Sequence, residues 1–173
     1  MIKKKNQKGV TLVEVMVALA VSSLIIVAAF NFFWSGTKSY HLGINKASIQ
    51  NEVNLAAYIL SNEIKYAEEI YLIESVPQNP DEYYYLFLEK DEKSEIYYLA
   101  FLSPEKGLEK KTDAIFDLSE AHFEIIDKLE GGYLLEFNLK AFKIDYNLNS
   151  KVALPNIKEA NETSNKVLKF KKP

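Results

Sequence analysis

The sequence predicts an α+β protein in which a long N-terminal helix, apolar in its first half, packs on a small antiparallel β-sheet. Residues 15–34 form one apolar run, and from there to residue 73 apolar side chains recur at three- and four-residue steps. Pro77 is the first proline. After the turn-rich residues 77–82, aromatic and β-branched residues gather in short runs that are typical of strands.

These patterns divide the chain into four segments. A basic leader precedes an apolar helix, which continues as an amphipathic helix and ends before a β-rich domain. The four predicted segments are residues 1–9, 10–36, 37–75 and 76–173. Gly36 and Gly43 are weak points of the long helix, because each costs about 1 kcal/mol relative to Ala.

Charge is distributed unevenly along the chain. The first eight residues include four lysines and no acidic residue: Lys3, Lys4, Lys5 and Lys8. Between Val15 and Thr37 no residue carries a formal charge, and from Lys38 onward acidic residues outnumber lysines. By the positive-inside rule the lysine-rich end lies in the cytoplasm, and the body beyond Lys38 lies outside.

The apolar segment is long enough to cross a membrane. From Val10 to Trp34 a helix extends about 37 Å, against a hydrocarbon core of about 30 Å. A secretory signal peptide has a shorter apolar region and a small-x-small cleavage site, which does not follow Trp34. A plain signal anchor needs only length and flanking lysines, and composition alone favours it over a buried core helix.

Glu14 interrupts this apolar run with a carboxylate. An ionised side chain at membrane depth costs about 2.5 kcal/mol or more, so such a residue is a functional candidate with a partner. The alternative is that Glu14 lies near the membrane edge and reaches the headgroups.

The string KKKNQKG followed by VTLVE resembles the class III signal sequence of type IV prepilins and type II secretion pseudopilins. That family has a short basic leader ending in Gly, then Phe-Thr-Leu-[Ile/Val]-Glu at the start of an apolar helix. By this resemblance Gly9 is the last leader residue, Val10 the new N-terminus and Glu14 the fifth mature residue. Residues 11–13 match the pattern, whereas Val10 replaces the usual Phe.

The resemblance implies processing and assembly. A membrane prepilin peptidase cuts between Gly9 and Val10, and Val10 is then N-methylated. The chain is thus a substrate and no enzyme. In a filament, Glu14 of one subunit neutralises the Val10 α-amine of its neighbour and sets the stagger between subunits. The implied partners are the peptidase, other pilins or pseudopilins bound through the N-terminal helix, and the membrane platform of the assembly machine.

Two hairpins are predicted in the β-rich domain. Residues 83–88 pair with 96–101 across a polar connection, and residues 122–126 pair with 133–137 across the two-residue turn signal Gly131-Gly132. Further strands are predicted at 141–148 and 167–170, and loops at 103–113 and 155–165. This layout matches the pilin-like plan.

Other groups of residues give only weak indications of a functional site. The absence of Cys excludes disulfides and thiolate sites, and the absence of Arg weakens recognition of phosphate or bases. His41 and His122 lack a ligand context, and the acidic residues at 81–92 do not follow an EF-hand spacing. The tyrosines at 83–85 fit a sheet better than a stacking platform. We therefore predict no catalytic residue, metal site, cofactor or nucleic-acid partner.

The leading hypothesis is a minor subunit that initiates or caps a type IV pilus or a secretion or DNA-uptake pseudopilus. A helix followed by two hairpins resembles the minor pilins and pseudopilins of the J or W type. Such a protein starts as a single-pass cytoplasmic-membrane protein and ends in a cell-surface or periplasm-spanning filament. The alternatives are a major shaft subunit and a membrane-anchored extracellular binding domain that never polymerises.

Overall fold

The computed structural model describes residues 9–77, 82–128, 132–160 and 164–173. These residues form one helix and ten strands. The helix is α1 (Leu12–Ile64), and the strands are β1 (Glu69–Ile73), β2 (Tyr84–Lys90), β3 (Tyr97–Ser103), β4 (Gly107–Lys110), β5 (Phe116–Lys128), β6 (Gly132–Ala141), β7 (Asn147–Leu154), β8 (Glu159–Ala160), β9 (Ser164–Asn165) and β10 (Val167–Lys171).

The chain forms two compact units, residues 1–45 and 46–173. In the first unit, the described residues from Leu12 onward are all part of α1. The second unit contains the last part of α1 and all ten strands. The fold class is therefore α+β, as the sequence predicts, with a pilin-like succession of long helix and sheet.

All ten strands belong to one curled sheet. Its strand order is β7-β6-β5-β3-β2-β10-β1-β8, with β4 beside β3 and β9 beside β5. The pairings are antiparallel, apart from the parallel pairing of β1 with the short β8. The sheet is larger than the small sheet that the sequence suggests.

The core of the second unit lies between α1 and the inner face of the sheet. The helix contributes a fully buried stripe at three- and four-residue spacing: Val53, Ala56, Leu60 and Ile64. The strands contribute alternate residues, as in β6, where Leu135, Phe137 and Leu139 are buried and their neighbours are half-buried. The buried stripe of α1 thus packs against alternate residues of the strands across one apolar interface.

Polar residues beside the buried stripe also link the helix to the sheet. The amide of Asp113 donates to Glu52 Oε2 at 3.2 Å, and the hydroxyl of Tyr146 donates to Asn54 Oδ1 at 3.1 Å. Near the end of α1, Lys172 Nζ lies 2.5 Å from Glu63 Oε2 and 4.8 Å from the centre of the Tyr84 ring. The last residues of the chain therefore help to hold the helix on the sheet.

Both predicted hairpins are present. Strands β2 and β3 pair from Tyr85↔Leu102 to Lys90↔Tyr97, and β5 and β6 pair as far as Lys128↔Gly132. Of the predicted Gly131-Gly132 turn, residue 131 lies outside the described residues. The strand predicted at 167–170 is β10, which lies between β1 and β2.

The amphipathic helix predicted at residues 37–75 ends at Ile64, and residues 69–73 form β1 instead. Ile64, Ala67 and Ile70 keep a helical spacing, which is why the sequence indicates a longer helix. Ile70 and Leu72, however, are buried at alternate positions, and β1 pairs with β10 along its whole length. A partner strand from about 100 residues away overrides the local pattern.

Three predictions about the second half of the domain are wrong. The loop at 103–113 contains β4, because Gly107 adopts φ 72° and allows the chain to reverse onto β3. The strand predicted at 141–148 is the end of β6, a connection and the start of β7. Within the loop predicted at 155–165, the short β8 and β9 add to the sheet, and residues 161–163 lie outside the described residues.

Candidate functional site

The segment with the strongest functional signal lies where α1 begins. Gly9, Val10 and Thr11 precede the helix in an irregular conformation and are exposed, and Leu12 is the first helical residue. The amide of Val15 donates to the carbonyl of Thr11 at 3.3 Å, so Thr11 occupies the N-cap position.

Thr11 and Glu14 form a reciprocal capping box. The backbone N–H and the hydroxyl of Thr11 both donate to Glu14 Oε2, at 2.8 and 2.9 Å. In return, the backbone N–H of Glu14 lies 3.3 Å from Thr11 Oγ1, which accepts its hydrogen bond. Two backbone donors of the first turn are thereby satisfied without a partner molecule. A carboxylate in the first turn also interacts favourably with the positive end of the helix dipole.

The capping hydrogen bonds of Thr11 were not predicted from the sequence. The signal that could have found them is Ser or Thr followed three residues later by Glu, immediately before an apolar run. Residues 11–14, Thr-Leu-Val-Glu, have this capping pattern as well as matching the family pattern. The structure brings Thr11 and Glu14 together at hydrogen-bonding distance.

Among the described residues, no contact around Gly9 requires a glycine. A Cβ atom built on Gly9 would meet no atom within 4 Å, and its φ does not lie in the left-handed region. Substitution by a small residue would therefore not strain the chain itself.

The helix that follows presents a continuous apolar surface. One 18-residue window within α1 has a mean hydropathy of 2.5, and none of it is buried by the chain. The exposed residues in this stretch include large side chains such as Leu24, Phe32 and Trp34, with 83 % of Phe32 accessible. Such a surface needs a membrane or neighbouring chains to cover it.

Comparison with known families identifies this same segment. Residues 4–30 match a family described as the prokaryotic N-terminal methylation motif. The chain carries the type IV prepilin signature. No curated protein and no solved structure matches the chain.

The prepilin signature supports a coarse functional assignment. It indicates a type IV pilin or pseudopilin that is processed by a prepilin peptidase and assembles with other pilins. The family is structural rather than catalytic, and the apolar N-terminal helix fits the membrane anchor of a prepilin.

The predicted leader lysines fall in or next to the segment that matches the family. Lys4, Lys5 and Lys8 lie within the matched residues 4–30, and Lys3 immediately precedes them. These four lysines fall outside the described residues. The prepilin signature covers Gly9, Val10 and Glu14, whose individual roles stay predictions.

The sequence also contains weaker candidate groups, namely acidic residues, histidines and tyrosines. Among the described residues, no group of three or more His, Asp or Glu side chains is placed to hold a metal ion. The tyrosines at 83–85 are part of the sheet: Tyr84 stacks on Phe101 and Phe170, and Tyr85 is buried. Tyr83 donates a 2.7 Å hydrogen bond to Glu69.

Proposed function

We propose that this chain is a minor pilin or pseudopilin that is processed at its N-terminus and helps to initiate or cap a filament. The prepilin signature at residues 4–30, which coincides with the start of a 53-residue helix, carries the proposal. The filament is a type IV pilus or a secretion or DNA-uptake pseudopilus.

In the proposed processing step, a prepilin peptidase cuts between Gly9 and Val10 at the cytoplasmic face. The lysine-rich leader is retained on that side, because positive charge disfavours translocation. Cleavage creates an α-amine on Val10, which is then methylated and remains positively charged near neutral pH. Residues beyond Lys38 lie outside the membrane.

In the proposed assembly step, Glu14 of one subunit pairs with the Val10 amine of the next. Both groups enter the low-dielectric centre of the filament, where an unpaired charge costs several kcal/mol. The pairing therefore favours one axial stagger between neighbouring helices. The membrane platform of the assembly machine supplies the subunits to the growing filament.

Two features support a minor role over a major one. The body contains a ten-stranded sheet, and its two long hairpins, β2–β3 and β5–β6, come after the helix and β1 in a layout that resembles minor pilins of the J or W type. The alternative of a major shaft subunit predicts high abundance in sheared filaments. The alternative of a binding domain that never polymerises predicts that the chain stays in the membrane fraction.

Mass spectrometry of the mature N-terminus tests the processing step. We expect the chain made in its own cell to begin at Val10 with one additional methyl group. In a strain without the prepilin peptidase, the same chain should keep residues 1–9. A mature chain that starts at any other residue would overturn the proposal.

A further inference from the structure

One face of α1 carries a groove immediately after the apolar span. The groove has a volume of about 440 Å³ and lies entirely within the first unit. It is lined by Trp34, Thr37, Lys38, His41, Leu42 and Asn45. Counted from Trp34, they occupy positions i, i+3, i+4, i+7, i+8 and i+11, which lie along one face of the helix.

The groove is apolar at its start and polar further along. Trp34 is 66 % exposed and Leu42 is 61 % exposed, so the chain itself does not cover these side chains. Lys38 brings an ammonium group, His41 a ring N–H donor and Asn45 an amide. The hydroxyl of Thr37 donates to the carbonyl of Phe33 at 2.9 Å and is therefore already used.

The positive charge of Lys38 is not balanced on its own helix. No acidic residue occurs between Glu14 and Glu52, so the nearest carboxylates in sequence lie more than three turns away in either direction. Helical ion pairs form at three- and four-residue spacing, and Lys38 has none. A bound anion would supply the missing partner.

The position of the groove along the helix suggests the source of that anion. If the apolar span begins at Val10, Trp34 lies about 37 Å further along the helix, just beyond a hydrocarbon core of about 30 Å. Lys38 follows one turn later, at the level of the headgroups. Tryptophan is enriched at this boundary because its ring is apolar and its N–H is polar.

We propose that this groove binds the headgroup of an anionic phospholipid in the outer half of the membrane. Lys38 Nζ and the ring N–H of His41 bind the phosphate oxygens, Asn45 binds the polar end of the headgroup, and the acyl chain lies along Trp34. The proposal rests on the membrane orientation given under the proposed function. Its consequence is that the lipid holds the subunit at a defined height until assembly extracts it.

Fluorescence of Trp34 tests the proposal directly, because Trp34 is the only tryptophan of the chain. The purified full chain is reconstituted in mixed phosphatidylcholine and phosphatidylglycerol vesicles, in which either one lipid or the other carries brominated acyl chains. Bromine quenches tryptophan on contact. We expect about fivefold enrichment of phosphatidylglycerol next to Trp34, the ratio that one lysine near an anionic lipid provides.

The double variant Lys38→Ala/His41→Ala should lose this preference, so that both brominated lipids quench Trp34 in proportion to their abundance. The matched control is Lys46→Ala, which removes the same charge from the same helix but lies outside the groove. This control should quench like the unaltered chain.

Two other outcomes would overturn the proposal in different ways. One such outcome is equal quenching by both lipids in the unaltered chain, which would mean that no anionic lipid occupies the groove. The other is quenching that weakens as protein is added, which would mean that a neighbouring helix occupies the groove in place of the lipid. If neither lipid quenches Trp34 and aqueous acrylamide does, the membrane orientation itself is wrong. Only that last result also removes part of the proposed function.

Discussion

At the scale of single residues, we predict two successive tasks for Glu14, capping of the helix and pairing between subunits. In the isolated subunit its carboxylate accepts hydrogen bonds from the N–H and hydroxyl of Thr11. These donors survive cleavage after Gly9, because Val10 stays attached and the Thr11 amide is intact. The helix start is therefore organised both before and after processing. In the proposed filament the same carboxylate pairs with a neighbouring amine, because a carboxylate accepts several hydrogen bonds.

The two tasks can be separated by substitution. Glu14→Gln keeps an acceptor for Thr11, since Gln also forms capping boxes, but removes the charge. We expect normal membrane insertion and a loss of about a hundredfold or more in filament incorporation, because removing one partner of a buried ion pair costs about 3–5 kcal/mol. Immunoblots of membrane and sheared-filament fractions measure both quantities.

Thr11→Ala is the complementary variant. It keeps the charge and removes the capping hydroxyl, which costs about 1 kcal/mol of helix stability. Its incorporation should fall tenfold at most. If Thr11→Ala were strongly impaired and Glu14→Gln normal, the role of Glu14 would be capping alone, and the intersubunit pairing would be refuted.

At the scale of elements, β7 shows how this sheet ends. It pairs only with β6 in the strand order, and its residues alternate between exposed and half-buried up to the buried Leu154. Lys151 Nζ lies 2.7 Å from Glu136 Oε2 on the neighbouring strand. A polar edge strand with a lysine discourages pairing with other chains.

The Glu136–Lys151 pair makes an acid-sensitive contribution to stability. Hydrogen bonds from Lys151 and then Asn149 hold the pKa of Glu136 below its ordinary value of 4.5. A lowered pKa means that the contribution is present above pH 4.5 and is lost as the pH falls through the folded-state pKa. We expect Glu136→Gln to lower the urea midpoint slightly at pH 7, and the difference from the unaltered chain to shrink as the pH falls below 4.5.

The control for this measurement is Glu105→Gln. Glu105 is an exposed carboxylate in the turn between β3 and β4, and none of the described residues hydrogen-bonds to it. Its substitution should leave the midpoint unchanged at both pH values. A Glu136→Gln deficit that persists undiminished at pH 3 would mean that the side chain acts through packing and not through its charge.

At the scale of the whole molecule, the two units differ in whether the chain itself buries their apolar side chains. The helical residues in the core of the second unit start at Ile49, and the sheet covers them. In the first unit, the described part of α1 exposes its large apolar residues. The second unit therefore has a complete apolar core, whereas the described part of the first unit leaves its apolar side chains uncovered.

This division predicts that residues 46–173 fold without the rest of the chain. We expect that fragment to be soluble and to unfold cooperatively in urea, with a midpoint close to that of the full chain in detergent, because its core is complete. A fragment of residues 66–173 lacks α1 and leaves the inner face of the sheet open, so it should aggregate. Aggregation of both fragments, with a folded full chain, would contradict the division.

Much of this architecture was predictable from residues that act locally. The hairpins β2–β3 and β5–β6 join strands that are close in sequence, so their strand-like patterns indicate their pairing. The same holds for the apolar run and the prepilin signature. The capping contact between Thr11 and Glu14 also joins residues that are close in sequence.

The sequence by itself determined which half of the helix is covered by the chain and which half is left for membrane or filament, because hydropathy and charge are properties of the residues alone. Only the tertiary structure decided where the helix ends. Residues 69–73 have a pattern that suits either state, and β10, about 100 residues later, selects the strand by supplying its backbone hydrogen bonds. Strands β4, β7 and β8 were missed for the same reason: their partners, more than their own composition, make them strands.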